Sequence, residues 1–257
     1  DVRLKKVLVS GGDPITIADV QGTHRGFAWA DNNTIVVGHT NGVLSLMPAG
    51  GGELKALTAL DAAAGETSHR WPHVLPGSRV ILYAAGPSIS ANDWNSGHIV
   101  AQSLVTGERR VIVQRGSMPA YADGHVFYVA GQQLLAQRFD PARLEAGGPV
   151  LVLRRNVIRV GSGAAWYAVS SSGSLASLHG PPSDRRSLVW VTRAGAVTPL
   201  PLAPGPYRNA RLSPDGSRVA VTVSNPDSDV WVFDAARGSQ TRITADGRSL
   251  WPIWTDH

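Results

Sequence analysis

Two histidine–arginine pairs carry the strongest hint of chemistry in this sequence, His24-Arg25-Gly26 and His69-Arg70-Trp71. A neutral imidazole can ligate a divalent metal such as zinc or manganese, and the neighbouring guanidinium can fix an anion. Glu66 places a carboxylate just before the second pair, and Tyr207-Arg208 supplies a phenol and a further cation. Brought together, His24, His69 and Glu66 form a candidate metal-ligand set. Arg25, Arg70, Trp71, Tyr207 and Arg208, with the two histidines, form a candidate ligand-binding set. Tyr207 and Arg208 are the groups that would steady an anion formed in a metal-assisted hydrolysis or elimination. The plainer alternative makes both histidines structural residues bonded to backbone carbonyls, because two ligands do not make a site.

Other chemistries are excluded or disfavoured. His69 and His73 cannot chelate together, since Pro72 opposes a helix and on a strand the two would lie ~13 Å apart. The chain has no cysteine, so it has no disulfide framework and no thiolate nucleophile or ligand. No Gly-x-Ser-x-Gly elbow is present, nor any Gly-rich loop, His-Arg-Asp or Asp-Phe-Gly of a phosphoryl-transfer enzyme. The formal charge of +5 comes partly from Arg109-Arg110, Arg154-Arg155 and Arg185-Arg186, which fall in or beside separate turns. That scatter argues against nucleic-acid binding, which wants one basic face beside stacking aromatics. No apolar run approaches the ~20 residues of a membrane span, so no membrane insertion is expected of this segment. Asp1 opens no signal-peptide pattern, and any targeting segment is expected outside the chain.

These residues must be positioned by a repeat. Leu212-Ser-Pro-Asp-Gly-Ser-Arg-Val-Ala-Val-Thr-Val223 reads as two strands around a Pro-Asp-Gly turn, and Asp229 to Ile243 reads as a second hairpin. Aligned on the short strand before each first turn, the unit recurs at Ala28, His73, Ala120, Ala168, Ala210 and Ile253, with gaps of 42 to 48 residues. A four-stranded propeller blade takes roughly 40–50 residues. Six outer hairpins follow the same period, at 4–17, 43–57, 98–113, 134–152, 188–200 and 230–243.

The expected architecture is all-β, one domain over 1–257, a six-bladed propeller of four-stranded antiparallel blades. The blades are expected near 24–60, 69–115, 117–155, 164–202 and 207–245, with the remaining one built from 1–19 plus 249–257. In that last blade Leu250-Trp-Pro-Ile-Trp254 supplies the innermost strand and closes the ring. It is one strand short, which predicts a monomer with a three-stranded blade or a dimer that fills the gap. Both ends read as cut from a longer protein. An extra loop, 86–97, carries Asp93 and Trp94. The two His-Arg pairs then stand before the innermost strands of adjacent blades, at one mouth of the channel. Trp71 is expected to touch the channel, and Trp190, Trp231 and Trp254 to fill the core. Asp256 and His257 are expected to fray.

The unit Leu212-Ser-Pro-Asp-Gly-Ser-Arg-Val-Ala-Val followed by Asp229-Val-Trp-Val-Phe-Asp resembles the TolB-type propeller repeat. Gly65-Glu-Thr-Ser-His-Arg-Trp-Pro72 and Trp251-Pro-Ile-Trp254 are similar to propellers at the C-terminal end of bacterial membrane-attached serine/threonine protein kinases. The resemblance implies a sensor or interaction module, periplasmic or otherwise extracytoplasmic when tethered, that binds a small polar or anionic ligand or a protein partner. Some polysaccharide lyases with similar propellers hold a His-bound metal in the channel, which is what the metal-dependent alternative rests on.

Overall fold

A computed structural model describes residues 2–20, 22–86, 94, 97–159, 162–178, 186–224, 228–235 and 237–255. Asp93, Gly161, His179, Arg185, Asp256 and His257 lie outside the described residues.

The period-two alternation produces sheets only, and no α-helix occurs among the described residues. β1 (Val2–Lys6) and β2 (Ile15–Val20) form a two-stranded antiparallel hairpin. Five four-stranded antiparallel sheets follow. The first comprises β3 (His24–Ala30), β4 (Thr34–His39), β5 (Ser45–Pro48) and β6 (Lys55–Ala56). The second comprises β7 (Ser68–Val74), β8 (Val80–Gly86), β9 (His98–Ser103) and β10 (Arg109–Val113). The third comprises β11 (Ser117–Ala122), β12 (His125–Ala130), β13 (Gln133–Asp140) and β14 (Glu145–Arg154). The fourth comprises β15 (Tyr167–Val169), β16 (Leu175–Ser177), β17 (Val189–Val191) and β18 (Val197–Pro199). The fifth comprises β19 (Tyr207–Leu212), β20 (Arg218–Ser224), β21 (Ser228–Asp234) and β22 (Ser239–Arg242).

Within each sheet the strands pair in chain order, and the first strands β3, β7, β11, β15 and β19 contact one another in succession. That arrangement is a β-propeller, with the first strand of every blade innermost. Apolar side chains from facing blades fill the space between sheets: Ile81, Tyr83 and Val100 of the second blade meet Val36 and Leu44 of the first. Turn chemistry fixes the hairpins. Asp215 accepts hydrogen bonds from the Ser213 and Ser217 hydroxyls and from the Ser217 N–H, while Gly216 takes φ 71°.

Five blades are complete. The rest of the chain supplies the β1–β2 hairpin and residues 249–255, which make no ladder pairs with each other. Leu250–Trp254, expected as a strand, is irregular. Among the described residues no strand pairs with it in a ladder, and Pro252 has no N–H to donate.

The inner strands share a local device. In β3, β7, β11 and β19 the pairing register shifts by a bulge. The bulged residues Gly26, Trp71, Met118 and Asn209 have positive φ, and Trp251 adopts the same conformation at φ 58°. Pro follows three of these five residues, at Pro72, Pro119 and Pro252. A bulge tolerates Pro because the extra residue leaves the ladder anyway. Two residues beyond each bulge stand Ala28, His73, Ala120, Arg211 and Ile253. The sequence alignment placed Ala210 in this set; the bulge at Asn209 puts Arg211 there instead.

Candidate functional site

The candidate residues divide into two groups. Glu66 and His69 do come together, in a buried network between the first two blades. Glu66 Oε1 accepts from His98 Nε2 at 2.9 Å and from Arg109 Nη2. Its Oε2 accepts from His69 Nε2 at 3.1 Å, Arg109 Nη1 at 3.1 Å and the Asp61 N–H at 2.7 Å. The carboxylate sets both imidazole tautomers, so His69 Nδ1 takes the Thr58 hydroxyl proton at 2.8 Å. Burial by itself would raise the Glu66 carboxyl. The Arg109 bond, the Asp61 N–H and the two imidazoles outweigh it and hold the group at about 2. His69 is pushed below the ordinary histidine range, chiefly by burial and against the pull of Glu66.

His24 is not in this network. Its ring packs on Phe27 and on His39, with ring centroids 5.6 and 5.5 Å away. Neither of its ring nitrogens has a hydrogen-bond partner among the described residues, and both are buried. The Val20 carbonyl lies near enough to favour the protonated ring without completing a hydrogen bond, and burial is the larger influence, lowering the pKa.

The proposed metal set is therefore split. Both oxygens of Glu66 and both nitrogens of His69 are already engaged, and His24 stands elsewhere. Among the described residues no group of three or more His, Cys, Asp or Glu is arranged to hold a metal ion. A divalent ion does not fit these donors as they stand.

Arg70 and Trp71 are spent on contacts within the protein. Arg70 is wholly buried and donates to Ser68 Oγ at 2.8 Å, the Thr40 carbonyl at 2.8 Å and the Ser162 carbonyl at 3.2 Å. Its guanidinium lies 4.2 Å over the Trp94 ring. Trp71 Nε1 donates to the same Ser162 carbonyl at 3.3 Å, and its ring lies 5.6 Å from that of Trp251. The two indoles thus link β7, the segment before β15 and the C-terminal segment. Arg25 is half-buried beside Arg70, and its Nε has no hydrogen-bond partner.

Tyr207 sits away from the channel. Its ring stacks edge-on to Phe233 at 5.8 Å, and its hydroxyl donates to the Ala203 carbonyl at 2.8 Å. Arg208, next in β19, is exposed.

Sequence reasoning missed Arg211. It stands on β19 two residues past the bulge, in the place His73 holds on β7. Its charge reaches both His73 and the buried Tyr167. Burial pushes His73 down to about 4, Arg211 adds to the effect, and the Tyr121 carbonyl opposes it. A signal for Arg211 existed: the inner-strand residue stands three positions before the turn in Ala28-to-Asp31, His73-to-Pro76 and Ala120-to-Asp123, which selects Arg211 before Pro214.

No protein-family model matches the chain, and no curated protein matches it. Solved structures do. TolB from Acinetobacter baumannii superposes with a TM-score of 0.69 at 16% identity, covering 95% of this chain and 60% of that protein. An oligogalacturonate lyase in complex with manganese gives a TM-score of 0.59 at 14% identity, covering 94% of this chain and 70% of the lyase. A puromycin hydrolase gives 0.57 at 16% identity, covering 95% of this chain and 50% of the hydrolase. The chain spans little more than half the length of TolB and half that of the hydrolase. The likeness is one of fold, and the fold is a TolB-like β-propeller.

Proposed function

We propose that the chain is a non-catalytic binding or sensing propeller that takes a polar or anionic ligand at the channel mouth. The observation that carries this reading is how the candidate groups are spent. Tyr207, Glu66, His69 and Arg70 are all committed to bonds that hold the fold, as described above. His24 and Arg25, at the entry to β3, keep buried nitrogens without partners. Unspent donors beside a cation suit a ligand's oxygens, whereas a catalyst needs an oriented nucleophile, base or metal.

The same reading takes the ring as six-bladed, with the β1–β2 hairpin and residues 249–255 in the sixth place. Ile17 of β2 packs on Ile35 and Val37 of the first blade. Lys5 of β1 meets Asp246, after the fifth blade, at 3.3 Å. Trp254 Nε1 donates to the Arg211 carbonyl at 2.9 Å, which lays the C-terminal segment along β19.

A thermal-shift panel of acidic sugars and larger dicarboxylates tests the proposal. A saturable rise lost in both His24→Ala and Arg25→Ala is expected. A turnover that chelator abolishes and manganese or zinc restores would replace it with the metal-dependent hydrolase or lyase reading, for which the manganese-bound lyase of the same fold is the precedent.

A further inference from the structure

We infer that the interior of the channel holds a second binding site, for a small oxoanion or carboxylate, built on Arg211 with His73 beside it. The site is separate from the His24–Arg25 mouth and does not depend on it.

The inference starts from position. Arg211 and His73 follow equivalent bulges on β19 and β7, so both project from the innermost strands. The corresponding residues of other blades are Ala28, Ala120 and Ala168, each with only a methyl side chain. Trp71 and Trp251 lie two residues before His73 and Ile253, and their rings pack 5.6 Å apart.

Charge supplies the second part. Protein surrounds Arg211 closely enough that burial is the leading influence on it, and the one opposing influence is the neutral phenol of Tyr167. The Tyr167 hydroxyl is itself given to the Met118 carbonyl. No carboxylate pairs with Arg211, and its side chain makes no hydrogen bond among the described residues. His73 likewise has no acidic neighbour acting on it. A buried guanidinium is almost always paired, because the cost of desolvating a lone charge is several kcal/mol. Yet neither residue is fully buried, which leaves a route by which a small solute would reach them. An unpaired, reachable fork of N–H donors is what a carboxylate or phosphate group binds in bidentate fashion. The ligand's charge would supply what the protein omits, and would favour protonation of His73 as a further donor.

The test is a titration of the full chain with inorganic phosphate at constant ionic strength, read by the imidazole proton NMR signals, with chloride as control. A saturable shift of the His73 signal is expected. Arg211→Gln should weaken it by roughly tenfold or more, the effect of losing a charge-assisted bond. His73→Gln, which should fold whether or not Arg211→Gln does, should weaken binding by roughly threefold to tenfold, read by phosphate-induced thermal shift. Arg25→Ala should leave the saturable His73 shift in place, whatever it does at the mouth. No saturable response, or one that Arg211→Gln and His73→Gln leave intact, overturns the site. A response lost in Arg25→Ala alone would overturn it too and assign the anion to the mouth.

Discussion

Two regions of this propeller bury an arginine near histidine, and they solve the electrostatic problem in opposite ways. Between the first two blades, Arg109, His69 and His98 converge on Glu66, and both oxygens of its carboxylate are engaged. On the inner strands, Arg211 and His73 converge on no carboxylate among the described residues. The first region is closed chemistry and serves the fold. The second leaves a charge uncompensated, a state a protein keeps where something else provides the counter-charge. Buried charge by itself therefore does not mark a functional site. What marks it is charge left without an internal partner.

The sharpest way to break the comparison is to remove each centre. Glu66→Gln should cost about 3 kcal/mol of unfolding free energy in urea, because it strands Arg109 and two imidazoles. Arg211→Leu should do the reverse, leaving stability unchanged or raising it by about 1 kcal/mol, since it deletes an unpaired buried cation. Equal losses in both variants would erase the distinction.

Acid titration sharpens it further. The folded-state pKa of His73 lies below that of the unfolded chain, so the unfolded state takes up protons first as pH falls. The stability tied to neutral His73 is complete above about 6.5 and disappears between there and about 4. Glu66 is also depressed, and its contribution is lost lower, from about 4.5 down to about 2. Two acid phases are expected in unfolding free energy against pH. His73→Gln should remove the upper one and Glu66→Gln the lower. Phosphate should move the upper phase to higher pH for folded His73 protonation, since it stabilises the imidazolium. The smallest effect expected is that of Tyr207→Phe, about 1 kcal/mol for one lost hydrogen bond, with phosphate affinity unaltered.

Much of the fold is legible in the residues. Turn signals such as Pro214-Asp215-Gly216 recur at blade spacing, and the structure forms four-stranded antiparallel sheets. Turn preference and alternation are local physics, so one sequence suffices to show them. The bulges were not legible, because Trp71, Met118 and Asn209 carry no side-chain mark of positive φ. One consequence was the misplacing of Ala210 where Arg211 stands. Another was the pairing of His24 with His69, whose rings turn to different neighbours once the register shifts. Glu66 and His69 were recognised as neighbours, but Arg109, which defines their role, lies 43 residues beyond Glu66 and meets it only through blade packing.

The central claim is that Arg211 awaits a counter-charge that Arg109 already has. Equilibrium urea unfolding of the native chain and of Arg211→Leu, each with and without saturating phosphate, tests it most directly. The account predicts that phosphate stabilises the native chain by about 2–3 kcal/mol, the effect of ligand near 100 times its Kd, and leaves Arg211→Leu unmoved. Equal stabilisation of both proteins, or of neither, would contradict it.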